Sequence, residues 1–161
     1  MLHSDWFAVA DIYQKGIETN LATFQPNCPS YEDWDAAHTK ECRLVIEEDG
    51  NIIGWAVLSP VSKRRVYAGV AEVSVYIAPD AQGKGVGTRL LGALCDMAEE
   101  HGYWTLQSSI MPENQASIRL HQKCGFRLLG YRERIGRDRE GNWRDNVLME
   151  KRSTRDDLDI R

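Results

Sequence analysis

Along the first twenty residues the apolar side chains Trp6, Val9, Ile12, Tyr13 and Ile17 return at helical intervals. A first helix is therefore expected from Trp6 to about Asn20, capped by Ser4-Asp5 and broken by Ala22-Thr23-Phe24-Gln25-Pro26. A short second helix is expected from Tyr31 to about Lys40, capped by Ser30, with Trp34 inward. The pattern then changes. Arg43 to Glu48 and Ile52 to Leu58 read as strands joined by the turn Asp49-Gly50-Asn51, and Pro60 ends the second. Ala71 to Ala78 is another β-like run, stopped by Pro79-Asp80. Beyond it the types alternate. Val86 to about His101 is a helix with Leu90, Leu91, Leu94, Met97 and Ala98 inward, closed by Gly102. Trp104 to Ile110 is a strand, and Asn114 to about Lys123 a helix capped by Asn114 and ended by Gly125. Phe126 to Arg134 and Asn146 to Glu150 are strands on either side of a polar loop around Gly141-Asn142-Trp143. This order predicts an α/β fold: a mixed central sheet, antiparallel in its first half, with a parallel crossover in its second half, flanked by helices.

At 161 residues the chain is expected to form one domain, residues 1–151, followed by a charged, solvated tail from Arg152 to Arg161. A formal net charge of -4 does not suit a protein held to nucleic acid by bulk charge. No apolar run approaches the ~20 residues of a bilayer span, and the N-terminus lacks the features of a secretory signal. A cytoplasmic protein with no membrane partner is the expectation. Cys28, Cys42, Cys95 and Cys124 form no C-x-x-C pair and read as free, mostly buried thiols. His3, His38, His101 and His121 have no metal-ligand spacing, so no metal site is expected.

Chemistry enters at Gln82-Gly83-Lys84-Gly85-Val86-Gly87, between a strand and a helix. A bare turn at a helix N-terminus points N–H groups outward, where the helix dipole favours anions. The dinucleotide fingerprint G-x-G-x-x-G fails because the third glycine comes one residue early. The P-loop fails because Lys84 is not followed by Ser or Thr. Alone, the turn leaves open the alternative of a tight strand-to-helix connection.

Its surroundings resemble a family. Val75-Tyr76-Ile77, the glycine turn, Pro112-Glu113-Asn114-Gln115-Ala116-Ser117 and His121-Gln122-Lys123-Cys124-Gly125-Phe126 follow in the order typical of GNAT acetyltransferases. Within that family the chain resembles the phosphinothricin, methionine sulfoximine/sulfone and arsinothricin branch. That likeness is carried by Ile17-Glu18-Thr19, Ala22-Thr23-Phe24, Ala71 to Ile77 and Gly141-Asn142-Trp143-Arg144-Asp145. The loop Ser59-Pro60-Val61-Ser62-Lys63-Arg64-Arg65 looks closer to the arsinothricin-like members. The first strand usual in this branch is nearly absent before Met1, so a shortened start or an incomplete sheet edge is expected.

The resemblance implies a GNAT fold, acetyl-CoA as co-substrate, a small amine acceptor and a homodimer. Gln82 and the backbone of Gly83, Lys84, Gly85, Val86, Gly87 and Thr88 are then expected on the pyrophosphate. The backbone of Val75, Tyr76 and Ile77 is expected along the pantetheine, with Asn114 and Ser117 also at the cofactor. Lys84 and Arg89 add charge or simply face water. Asn114 is also a helix cap, a role that leaves its amide NH₂ free.

An α-amino group with a pKa near 8 is only about one-tenth neutral at pH 7, so an acceptor needs a base. Glu72, a charge inside the apolar run Val70-Ala71-Glu72-Val73, is the candidate. Its alternative is an edge glutamate facing water. The backbone N–H of Ile77 is expected at the oxyanion. His121 stands where many family members place a tyrosine that protonates the leaving thiolate, or merely packs its helix. Arg64, between Lys63 and Arg65, is expected to hold an acid group of the acceptor, or to be a solvated turn. Phe24 and Ser74 are expected beside the acceptor, and Trp143-Arg144 near a partner subunit. Other readings are a polyamine, aminoglycoside or peptide N-terminus as acceptor, or a non-catalytic acyl-CoA-binding module.

Overall fold

The apolar run Trp55-Ala56-Val57-Leu58 is buried on both sides of the sheet, as a central strand requires. It belongs to a six-stranded sheet in a computed structural model that describes residues 1–158. The helices are α1 (Trp6–Glu18), α2 (Tyr31–Ala37), α3 (Val86–Glu100) and α4 (Gln115–Lys123). The strands are β1 (Leu44–Glu48), β2 (Asn51–Pro60), β3 (Val70–Ile77), β4 (Thr105–Ile110), β5 (Arg127–Arg137) and β6 (Trp143–Arg152). They lie in the order β1-β2-β3-β4-β6-β5. Only β3 and β4 run parallel; the other neighbours are antiparallel.

Alternation along β2 and β3 sends side chains to two separate cores. Ala56, Leu58, Ala71 and Val73 pack with Leu90, Leu91, Leu94 and Ala98 of α3. Trp55 and Val57 pack with Val9 and Ile12 of α1 and Trp34 of α2. Each fully buried aliphatic side chain contributes roughly 1.5–3 kcal/mol. On the α1 side Trp55 also stacks on Tyr76, with ring centroids 4.8 Å apart.

Several boundaries differ from the sequence expectation, each for a local reason. The chain enters α1 through a 3-10 turn, His3–Asp5, and the Asp5 carboxylate accepts from the Leu2 N–H instead of capping the helix. α1 stops at Glu18 because the Thr19 hydroxyl turns back to the Gly16 carbonyl and Asn20 adopts φ 55°. Ser30 does cap α2, accepting from the Asp33 N–H at 3.1 Å. That helix ends at Ala37, where His38 becomes extended and Lys40 and Arg43 gather on the Asp35 carboxylate. β5 and β6 are longer than expected, because their added ends, Ile135 to Arg137 and Trp143 to Asp145, mix exposed apolar with polar residues and give no alternation to read. The Asp138 carboxylate organises its turn, accepting from the Glu140 and Asn142 N–H groups at 3.0 and 2.9 Å.

The amino terminus donates to the Arg43 carbonyl beside β1, which is one edge of the sheet. At the other end Ser153 donates its N–H to the Trp104 carbonyl, so ordered pairing enters the expected tail; residues 159–161 of that tail lie outside the described residues.

Candidate active site

Gly83 and Gly85 hold φ 75° and 77°, a left-handed conformation that other residues adopt at a cost. Gly85 is the N-cap of α3 and supplies no side-chain cap, so the first N–H groups of the helix stay bare. A Cβ on Gly83 or Gly85 would meet nothing, whereas one on Gly87 would lie 3.1 Å from Leu120. The first two glycines are thus required by backbone conformation and the third by packing of α3 on α4. Gln82 turns its amide back to the Ile77 carbonyl at 3.3 Å.

Beside this turn the sheet splits. β3 and β4 pair at Val70–Thr105, Ala71–Leu106 and Glu72–Gln107, and no further. β3 stays paired with β2 as far as Ile77, and β4 with β6 as far as Ile110. The Ala78 N–H donates to the Ile53 carbonyl, which sets the antiparallel alternation. Tyr76 and Ser74 therefore turn their backbone groups to β2, while Val73, Val75 and Ile77 turn theirs to the split. This corrects the expectation for Tyr76, whose backbone does not face the gap.

A cavity of about 300 Å³ occupies the split. It is lined from α4 by Asn114, Ser117 and His121, and from the opposite face of the sheet by Leu21 to Gln25. Glu72, Ser74, Val75 and Tyr76 line it from β3, Ser108 to Ile110 from β4, and Asn146 from β6. The structure thus brings together Phe24, Glu72, Ser74, Val75, Tyr76, Asn114, Ser117 and His121. The glycine turn and Ile77 lie outside this lining. So does Arg64, whose guanidinium sits over the Tyr67 ring at 5.5 Å. Among the described residues no group of His, Cys, Asp and Glu could hold a metal ion.

Burial raises the Glu72 pKa; a hydrogen bond with Gln107 and the charge of Arg132 partly reverse this. A carboxylate so placed is a stronger base than a free one. His121 differs from expectation. Its Nδ1 lies 2.7 Å from the Ser117 carbonyl, which assigns the proton to Nδ1 and leaves Nε2 as an acceptor. Burial lowers its pKa, which together with the Nδ1 contact favours a neutral ring whose Nε2 accepts. Asn114 caps α4 by accepting from the Ser117 N–H at 3.2 Å. Its NH₂ is not free, but reaches the Leu21 carbonyl at 3.4 Å, linking α4 to the loop across the cavity.

Gln107, Ser109, Arg132 and Asn146 were missed in the sequence. Gln107 and Ser109 carry the signal that picked out Glu72, polar residues in an otherwise apolar strand. Asn146 reads as an ordinary strand start, yet it is buried and accepts from Arg132 Nε at 2.8 Å.

A split parallel pair beside a bare glycine turn offers one extended ligand an open strand edge and an anion site. The Acetyltransferase (GNAT) family profile matches residues 6–126, and the chain belongs to that family. It is similar to phosphinothricin N-acetyltransferase of Alcaligenes faecalis, 35% identical over 89% of this chain and 76% of that protein. It is also similar to the L-amino acid N-acyltransferase MnaT of Escherichia coli (strain K12), 32% identical over 91% of this chain and 88% of that one. Among solved structures, yncA from Salmonella typhimurium with its cofactor acetyl-CoA superposes with a TM-score of 0.89 at 28% identity. That match covers 100% of this chain and 96% of yncA.

Proposed function

We propose that the protein moves the acetyl group of acetyl-CoA to the amine of a small amino-acid-like acceptor of the phosphinothricin or methionine sulfoximine type. The observation that carries this reading is the cavity through the split sheet, with Glu72 on its wall. Relatives named for phosphinothricin and for L-amino acids support the acceptor class, and yncA with acetyl-CoA supports the donor. The residues fit that donor. Bare N–H groups from Gly83 to Thr88 suit its pyrophosphate, and the edge of Val73, Val75 and Ile77 suits the amides of its pantetheine.

Glu72 takes a proton from the acceptor ammonium, directly or through water. The neutral amine attacks the thioester carbon and a C–N bond forms; as the C–S bond breaks, the second amine proton passes through solvent to the departing thiolate. The Val75 N–H faces the split within the cavity lining and stabilises the developing oxyanion, in place of Ile77, which lies five residues from Glu72 and outside that lining. The thiolate leaves without a proton from His121, whose Nε2 acts as an acceptor. Because Glu72 works deprotonated, activity rises with pH through a pKa above the ordinary glutamate value. In Glu72→Gln, acetyl-CoA affinity by calorimetry is retained and turnover falls about 10²–10⁴-fold. Unchanged turnover removes the general base. Thiol release measured across phosphinothricin, arsinothricin, methionine sulfoximine, methionine sulfone, spermidine and a short peptide tests the acceptor, and preference for spermidine rejects it.

Residues 1–151 act as one catalytic domain. The four free thiols suit the reducing cytoplasm. The working form is a homodimer. The edge strand β5 exposes Leu128, Leu129, Tyr131 and Ile135, with Trp143 beside it, more apolar surface than a free edge favours. Light scattering at micromolar concentration is expected to give twice the chain mass, and Leu129→Glu to give a monomer; a monomeric wild type rejects the dimer.

A further inference from the structure

We infer that Arg132 receives the carboxylate of the acceptor, so that the site selects α-amino acids over amines lacking an acid group. This rests on the amino-acid-like acceptor proposed above, and it gives Arg132 the role first expected of Arg64.

Arg132 lies on β5, opposite Asn146 of β6. Its side chain crosses β6 to reach β4, with Nε donating to Asn146 Oδ1 at 2.8 Å and one terminal nitrogen donating to Ser109 Oγ at 2.9 Å. Both partners line the cavity. Arg132 is not itself a lining residue; these two bonds hold its guanidinium against the cavity wall without neutralising it. On the same hairpin Arg127 pairs with Glu150, and Arg144 with Asp138 and Glu113. Among the described residues Arg132 makes no ion pair, and its charge is felt at Glu72.

The backbone holds this aim. Register shifts between Arg132 and Gly136, where Arg134 takes φ 47° and its N–H donates to Asp145 Oδ1 at 2.7 Å. A bulge re-aims side chains on the bulged strand. The same bulge brings Gly136 against the cavity wall, where a Cβ would lie 3.2 Å from the Phe24 ring.

The spacing suits a zwitterion. Glu72 is the register neighbour of Gln107, two residues from Ser109. One strand spacing and two residue rises separate the Glu72 and Ser109 backbones by roughly 8 Å. An α-amino acid spans about 3 Å from nitrogen to carboxylate, with a hydrogen bond of about 3 Å at each end. The amine then meets Glu72 while the carboxylate meets Arg132, whose fork matches its geometry.

The test compares methionine sulfone with its methyl ester, which keeps the amine and side chain but loses the negative charge. Wild type is expected to prefer the acid. Arg132→Gln should raise KM for the acid about tenfold or more, leave KM for the ester nearly unchanged, and keep kcat within about threefold. Arg132→Lys should fall between, and Arg127→Gln should match wild type. Acetyl-CoA affinity and circular dichroism verify that each variant is folded. An unmoved acid-to-ester ratio in a folded Arg132→Gln overturns the inference alone, as does an equal loss for acid and ester. A wild type that releases thiol with no acceptor overturns the acceptor reading and the inference with it.

Discussion

The two sides of the cavity are built from different materials. On the α3/α4 side the groups on offer are backbone: the bare N–H groups after Gly85 and the β3 edge that turns to the split at Val75 and Ile77. On the α1 side they are side chains from four distant segments, with Leu21 to Gln25, Glu72, Ser109 and Asn146 meeting at one cavity. A backbone site depends on local conformation, so it appears as a short motif. A side-chain site depends on which strands become neighbours, and its residues are scattered along the chain.

The contrast can be broken on the backbone side first. Gly85→Val places a β-branched residue at φ 77°, where an L side chain costs about 1–2 kcal/mol. If the turn holds the donor through its conformation, KM for acetyl-CoA rises about tenfold while KM for the acceptor stays put. Steady-state kinetics with each substrate varied in turn reads both. A shift in acceptor KM of equal size would mean that the two sides are not separable.

Much of the fold was legible for the same local reasons. Ser30 announced the start of α2, Gly102 closed α3 and Asn114 capped α4, because each satisfies helix-end groups within a few residues. Glu72 stood out as a charge within an apolar run. Arg132 did not, since Arg132-Glu133-Arg134 on an edge strand resembles any solvated surface. Its aim depends on a bulge held by Asp145, eleven residues beyond Arg134. The basic cluster at Arg64 was conspicuous in sequence, yet the Arg64 guanidinium rests on the Tyr67 ring and is not among the residues that line the cavity. The full lengths of β5 and β6 were hidden because exposed apolar residues such as Ile135 and Trp143 among polar ones leave no period to detect.

The smallest effect expected lies in the network that supports the side-chain half. Asp138 is buried; it accepts from Asn20 Nδ2 at 3.0 Å and from Arg144 at 3.1 Å, and Arg144 also donates to the Asn20 carbonyl. This ties the β5–β6 turn to the start of the loop that lines the cavity from Leu21. Burial would raise the Asp138 carboxyl, but hydrogen bonds from Asn142, Asn20, Arg144 and Glu140 prevail and hold it at about 2. An unfolded aspartate titrates at about 3.9, so this contribution is fully present above pH ~4 and is lost as pH falls towards 2. Asp138→Asn should therefore melt below wild type at pH 7, and the gap should close between pH ~4 and 2. Acceptor KM should rise a few-fold while KM for acetyl-CoA moves less, because the loosened loop lies on the acceptor side and meets α4 through the Asn114–Leu21 contact. If acetyl-CoA binding weakened equally, Asp138 would support the whole cavity, and the division between backbone and side-chain halves would not extend to the residues that hold them in place.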